Sequence, residues 1–300
     1  MMRRTPFFPT AGVLREQGFT LVEAVVVIMI TAIVSVGVAV FLRAPVTGYV
    51  DSAARADMAD TADTALRRMA RDIRLALPNS VRVSADGSYI ELLETRTGGR
   101  YLSVDDNPTS GNILSFTDST KLQFDVVGPV SSSPEQQIQA GSDSLVVYNL
   151  GQGIAPVDAY QSGNTNRTLI SAVSTSGGVT TITMQSNPYP NQSPVPMPSP
   201  YYRFQVISGP VTYHCDTAAQ TLTRYWNYAI SATQPTSVSA MSSGQSALIA
   251  TGVTGCNFTY TTTNTMSSAL VVLNLTLTAA ASSRGGSVGL FQQVHVDNTP

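Results

Sequence analysis

Apolar and polar positions along this chain fall into three regimes. From Phe19 to Leu42, FTLVEAVVVIMITAIVSVGVAVFL is apolar on every side and broken only by Glu23 and a few small polar residues. At about 1.5 Å per residue such a helix spans roughly 36 Å, enough to cross a hydrocarbon core about 30 Å thick. Arg43, Ala44 and Pro45 interrupt the run, and Pro45 is expected to bend or loosen the helix because it supplies no N–H and clashes with the preceding turn. A second regime covers Asp51 to Leu77. There Ala54, Met58, Ala62, Ala65, Leu66, Met69, Ile73 and Leu77 recur at three-to-four spacing, while Asp57, Asp60, Asp63, Arg67, Arg71 and Arg74 take the other face. This predicts an amphipathic helix with its acids early and its arginines late, as the helix dipole favours, stopped by Pro78 and Asn79.

After Asn79 the helical period is lost. Short segments rich in Val, Ile, Thr and Tyr alternate with Gly, Pro, Ser and Asn, and predict strands at 88–95, 121–127, 144–150, 168–173, 179–184, 202–207, 222–226, 257–262, 270–278 and 287–296. Six prolines within 186–200 preclude a regular strand there and suggest an extended connector between two halves of the head. The expected fold class is α+β: a long N-terminal helix, half membrane and half amphipathic, packed on a mainly antiparallel β head, with extra strands in a second sheet or lobe.

Composition narrows the function. The 300 residues are 43% hydrophobic, which excludes disorder as the main state, and a formal charge of −2 gives no basic field to gather nucleic acid. Only 12% are charged, about half the usual share, as on an exported β-rich surface. Arg3, Arg4 and Arg15 precede the apolar run, so the positive-inside tendency places the amino terminus in the cytoplasm and everything after Leu42 across the membrane. The run is too long for an ordinary secretory signal, and its conspicuous small residue, Gly18, stands before it instead of after. Glu23 is costly inside a membrane, about 2.5–3.5 kcal/mol at the centre of a span and less near the interface. It either reaches the headgroups or meets a partner.

In that setting Gly18-Phe19-Thr20-Leu21-Val22-Glu23, behind a short charged leader and before a long apolar run, resembles the processing site of type IV prepilins. The resemblance implies that a prepilin peptidase cuts between Gly18 and Phe19 and methylates the new Phe19 amine. It also implies that Glu23 then meets the terminal amine of a neighbouring subunit as helices bundle, which suits a charge that is tolerable only when paired. The organisation that follows is a leader at 1–18, a transmembrane helix at 19–42, an amphipathic stalk at 43–78 and a periplasmic or extracellular head at 79–300. Tyr49 to Arg55, Arg71 to Arg82 and His295 to Pro300 further resemble minor pilins of the mannose-sensitive haemagglutinin (MSHA) type IV pilus. The implied role is priming or taking part in pilus assembly. Implied partners are the prepilin peptidase, other major and minor pilins and the inner-membrane assembly platform. A J-type pseudopilin of type II secretion and a pilus-associated adhesin remain open alternatives.

Other chemistry is sparse. Cys215 and Cys256, carried into the oxidising periplasm, are expected to form a disulfide. A metal site built from His214, Cys215, Cys256 and His295 matches no zinc spacing. Neither histidine sits in a nucleophile elbow, so no catalytic residue, metal or cofactor is expected. Asp105-Asp106-Asn107 reads as a turn because Pro108 and the missing twelfth-position acid break the EF-hand pattern. The Arg67, Arg68, Arg71 and Arg74 group reads as a solvated helix face, and Trp226 with Tyr225 and Tyr228 as strand packing.

Overall fold

The computed structural model describes residues 18–163, 166–262, 267–279 and 286–300. The chain divides into two compact units, Met1–Ser52 and Ala53–Pro300, and the division falls inside one long helix, α1 (Leu21–Arg74). Contrary to expectation, α1 runs unbroken through Pro45. The proline withdraws a single donor, the one for the Phe41 carbonyl, and just beyond it the Thr47 hydroxyl adds a bond to the Arg43 carbonyl at 3.0 Å. In the first unit the apolar side chains from Phe19 to Leu42 are exposed all round, and none of the most apolar stretch is buried.

In the second unit α1 buries Ala62, Ala65, Leu66, Met69 and Ile73, as its periodicity requires, and exposes Arg67, Arg68, Arg71 and Arg74. Asp63 and Arg67 form the one-turn pair, Nε to Oδ2 at 2.6 Å, exposed and so worth only a few tenths of a kcal/mol. The helix stops at Arg74, earlier than Pro78-Asn79 suggested. Leu75 to Leu77 leave it to bond the sheet: the Thr95 amide donates to the Leu75 carbonyl and the Leu77 amide to the Leu93 carbonyl, both at 2.8 Å.

The strands are β1 (Arg82–Val83), β2 (Tyr89–Tyr101), β3 (Gln123–Val127), β4 (Ser144–Val146), β5 (Arg167–Ser176), β6 (Val179–Met184), β7 (Arg203–Asp216), β8 (Thr221–Trp226), β9 (Gln245–Thr251), β10 (Val253–Thr262), β11 (Ser268–Thr278) and β12 (Ser287–Asp297). All pairings are antiparallel. The long strands β2 and β7 pair from Tyr89 with His214 to Arg100 with Arg203, and belong to two structures at once. Their Tyr89 and His214 ends carry β1 on one side and β8 then β9 on the other, giving a sheet whose Ile90, Leu92, Val211 and Tyr213 pack on α1. Their Tyr101 and Arg203 ends continue through β3, β6, β5 and β4 back to β7, so the pairings β2-β3-β6-β5-β4-β7-β2 close a six-stranded barrel. Bulges at Glu94 to Thr97 mark the passage from sheet to barrel, where added twist is needed. Beyond them Gly99 leaves room for Phe204, whose ring a Cβ would meet at 3.0 Å. Phe124, Leu145, Ile170, Ile182, Phe204 and Val206 fill the barrel.

The second sheet, β10-β11-β12, lays Val271, Leu273, Leu275, Val294 and Val296 against the same helix. Two of the links that hold it to the first sheet stand out. One is the Gly87 turn, where Gly87 adopts φ +70°, its carbonyl accepts from the Phe258 amide at 3.0 Å, and a Cβ would strike Asn257. The other is the Cys215–Cys256 disulfide, which links β7 to β10 across a Cα separation of 6.5 Å. Replacing Cys215 with Ser is expected to lower head stability by about 2–4 kcal/mol in urea titrations under non-reducing conditions, because closing this loop removes unfolded-state entropy. A change below about 1 kcal/mol would mean that packing and the Gly87 turn join the sheets without the disulfide.

The proline-rich segment between β6 and β7 contains no strand, but it is packed instead of extended. It turns as a short 3-10 helix at Tyr189–Asn191, with Tyr189 fully buried against the barrel core. The sequence pattern also missed β9, whose exposed Leu248 and polar ends disguise an edge strand.

Candidate processing and assembly site

Thr20 precedes α1 and caps it: its carbonyl accepts from the Ala24 amide at 3.1 Å and its hydroxyl from the Glu23 amide at 3.3 Å. Glu23 therefore sits in the first turn, where the unpaired amides of a helix N-terminus favour a negative charge. Its carboxylate is exposed and makes no ion pair among the described residues. Phe19 is 81% exposed, and a Cβ added at Gly18 would meet nothing within 4 Å. Among the described residues neither the backbone nor packing demands glycine at position 18. The leader residues 1–17 lie outside the described residues. Gly18, Phe19 and Glu23 are brought together at one exposed helix start among the described residues.

The second unit gathers its polar side chains where the helix meets the sheet. Asp72, on the buried face of the last turn of α1, is 2% exposed. Its Oδ2 accepts from Arg224 Nε on β8 at 2.7 Å and from the Tyr213 hydroxyl on β7 at 2.8 Å, while Arg224 also reaches Glu94 at 3.3 Å. Burial, then the Asp72 charge, pushes the Tyr213 phenol up, so it remains a donor. Across the sheet Glu91 accepts from Arg82 and from the Tyr228 hydroxyl at 2.8 Å, and Arg82 lies 3.7 Å over the Tyr160 ring. Burial raises the Glu91 carboxyl against the pull of Arg82. A third junction ties the C-terminus to the helix exit. The Asn79 amide donates to Asn298 Oδ1 at 3.0 Å, its side chain to the Asn298 and Asn149 carbonyls, and Asn298 Nδ2 to the Tyr260 hydroxyl at 3.0 Å. Reading the sequence did not single out Asp72 or this asparagine junction. An acid in the last turn of a helix, against the dipole, was the available signal for Asp72.

His214 is stacked on Tyr89 at 4.0 Å and burial lowers its pKa, so it stays neutral, while His295 is exposed on β12. Among the described residues no three carboxylate, imidazole or thiol groups converge. Asp105 and Asp106 lie in a capped 3-10 turn at Val104–Asp106. Tyr228 is core, and Trp226 lies half-buried beside Arg224.

Residues 14–39 match the family model described as the prokaryotic N-terminal methylation motif. The motif indicates a type IV pilin-like protein, handled by a prepilin peptidase and partnered by pilins in general, with an apolar helix compatible with a membrane anchor. No curated protein and no solved structure matches the chain. Processing leads to a direct expectation: mass spectrometry of protein from peptidase-positive cells finds the mature terminus at N-methylated Phe19. An intact leader in those cells contradicts it.

Proposed function

We propose that this chain is a minor pilin of a type IV pilus of the MSHA kind, which primes or takes part in pilus assembly. The observation that carries the reading is the bare apolar helix behind the methylation motif, with Glu23 in its first turn and no ion-pair partner for it among the described residues. Such a helix needs a lipid or helical environment, and the inner membrane followed by a filament supplies both in turn. Before assembly the chain is a single-pass protein with its amino terminus in the cytoplasm and its head in the periplasm, and it meets major and minor pilins at the assembly platform. A head at 79–300 suits a minor component, because bulk limits dense stacking along a filament. The MSHA reading rests on the resemblance carried by Tyr49 to Arg55, Arg71 to Arg82 and His295 to Pro300.

We read the role as structural: the disulfide takes up Cys215 and Cys256, and His214 is stacked on Tyr89. Deleting the gene is expected to abolish or sharply reduce surface pili, counted by electron microscopy, and to leave type II secretion intact. Normal pili with failed secretion would assign the chain to the pseudopilins instead.

A further inference from the structure

Asp57, Asp60 and Asp63 lose their dipole explanation once α1 is seen whole. The helix begins at Leu21 and ends at Arg74, so these acids lie three or more turns from either end, and the macrodipole acts on the first and last turns alone. Arg68 likewise precedes the last turn, which holds Arg71 and Arg74. Segregating the charges also has a local cost. The acids recur at every third residue, as do Arg68, Arg71 and Arg74, and like charges on successive turns repel. Asp63 is relieved by Arg67, but among the described residues Asp57, Asp60, Arg68 and Arg74 make no ion pair.

Both strips run along one flank of the stalk, opposite the side buried on the sheets. Asp57, Asp60, Arg68, Arg71 and Arg74 are exposed and Asp63 half-exposed, and between the acids this flank carries the small exposed residues Ala53, Ala56 and Thr64. Small residues let a second helix come close. Each acid has an arginine eleven residues further on: Asp57 and Arg68, Asp60 and Arg71, Asp63 and Arg74. Eleven residues are three helical turns and about 20° more, so the two strips face the same way, about 16 Å apart along the axis. When two parallel copies of the stalk are slid past each other, a shift of eleven alone sets all three acids of one against three arginines of the other. With no shift, acid faces acid and arginine faces arginine.

We infer that this flank packs on the same flank of a second copy of the chain, parallel and shifted by eleven residues. Asp57, Asp60 and Asp63 of one copy then meet Arg68, Arg71 and Arg74 of the other. A second copy is the occupant because both halves of the match lie in one sequence. The strips also match in antiparallel fashion, Asp57 against Arg74, but chains anchored in one membrane point the same way, so the parallel choice rests on the pilin-like reading. Exposed ion pairs are individually weak, and these three fix register more than they supply affinity. Each copy keeps one strip free, so the contact can repeat.

The test uses the full chain in pilus-competent cells, expressed as two copies with different epitope tags and linked by a short bismaleimide. Cys215 and Cys256 are joined to each other and do not react. A copy bearing Asp57→Cys is expected to link to one bearing Arg68→Cys at least about tenfold more than to a second Asp57→Cys copy or to an Arg74→Cys copy. Adding Asp60→Arg and Asp63→Arg to the first copy, or Arg71→Asp and Arg74→Asp to the second, is expected to cut that link at least about tenfold, and adding both sets to restore it. Restoration also shows that the substituted chains fold. The inference is overturned by a dominant level or antiparallel link, by no link above the level control, by a link that either exchange leaves unchanged, or by a loss that the double exchange does not restore. Terminal mass spectrometry of the same cells reads processing separately. Mature Phe19 termini without the link leave the pilin-like reading standing, and an intact leader overturns that reading whatever the links show.

Discussion

Asp72→Ala is expected to destabilise the head by about 3 kcal/mol or more. Removing the carboxylate leaves the Arg224 guanidinium and the Tyr213 hydroxyl without their common acceptor, in a place where neither is solvated. Breaking a buried pair by deleting one partner typically costs about 3–5 kcal/mol, because the surviving charge stays desolvated. Glu94 at 3.3 Å and the Trp226 ring at 5.0 Å retain part of the Arg224 interaction, which places the expectation at the lower end. Urea titration of the full chain, followed by tyrosine and tryptophan fluorescence, measures it. A loss under 1 kcal/mol would show that Arg224 escapes to solvent and that the pair does not fasten α1 to the sheet. Leu66→Ala is a useful companion, since a cavity of that kind should cost a comparable amount through packing alone.

Glu23→Gln is expected to leave membrane insertion and cleavage at Phe19 intact while incorporation into pili falls at least about tenfold. The substitution preserves shape and removes only the charge, and no cation among the described residues pairs with that charge. If the partner is the methylated amine of a neighbouring Phe19, the loss appears only on assembly, where the pair is desolvated. Membrane fractionation and terminal mass spectrometry check the first half, and quantitative blots of sheared pili the second. Wild-type incorporation would make Glu23 an acid that reaches the headgroups, and its pairing role would be abandoned. Loss of insertion would instead place its role in the single subunit.

The parts of this protein that its sequence determined are those set by neighbours close along the chain. The apolar run, the three-to-four spacing of Ala62, Ala65, Leu66, Met69 and Ile73, and the alternation in Leu273 to Thr278 each express a local period, and each is buried or exposed as that period demands. The processing motif is likewise contiguous, which is why Gly18, Phe19 and Glu23 were legible without coordinates. The helix end was less so, since Leu75 to Leu77 obey helical spacing yet gain more from bonding Leu93 and Thr95.

Only the tertiary structure decided that β2 and β7 would each serve a sheet and a barrel. Closure depends on register and bulges across more than a hundred residues, and alternation looks the same in an open sheet as in a closed one. It also decided the polar fastenings. Asp72, Tyr213 and Arg224 come from distant segments, as do Asn79, Asn149 and Asn298, and a polar residue with a partner far along the chain has no local signature.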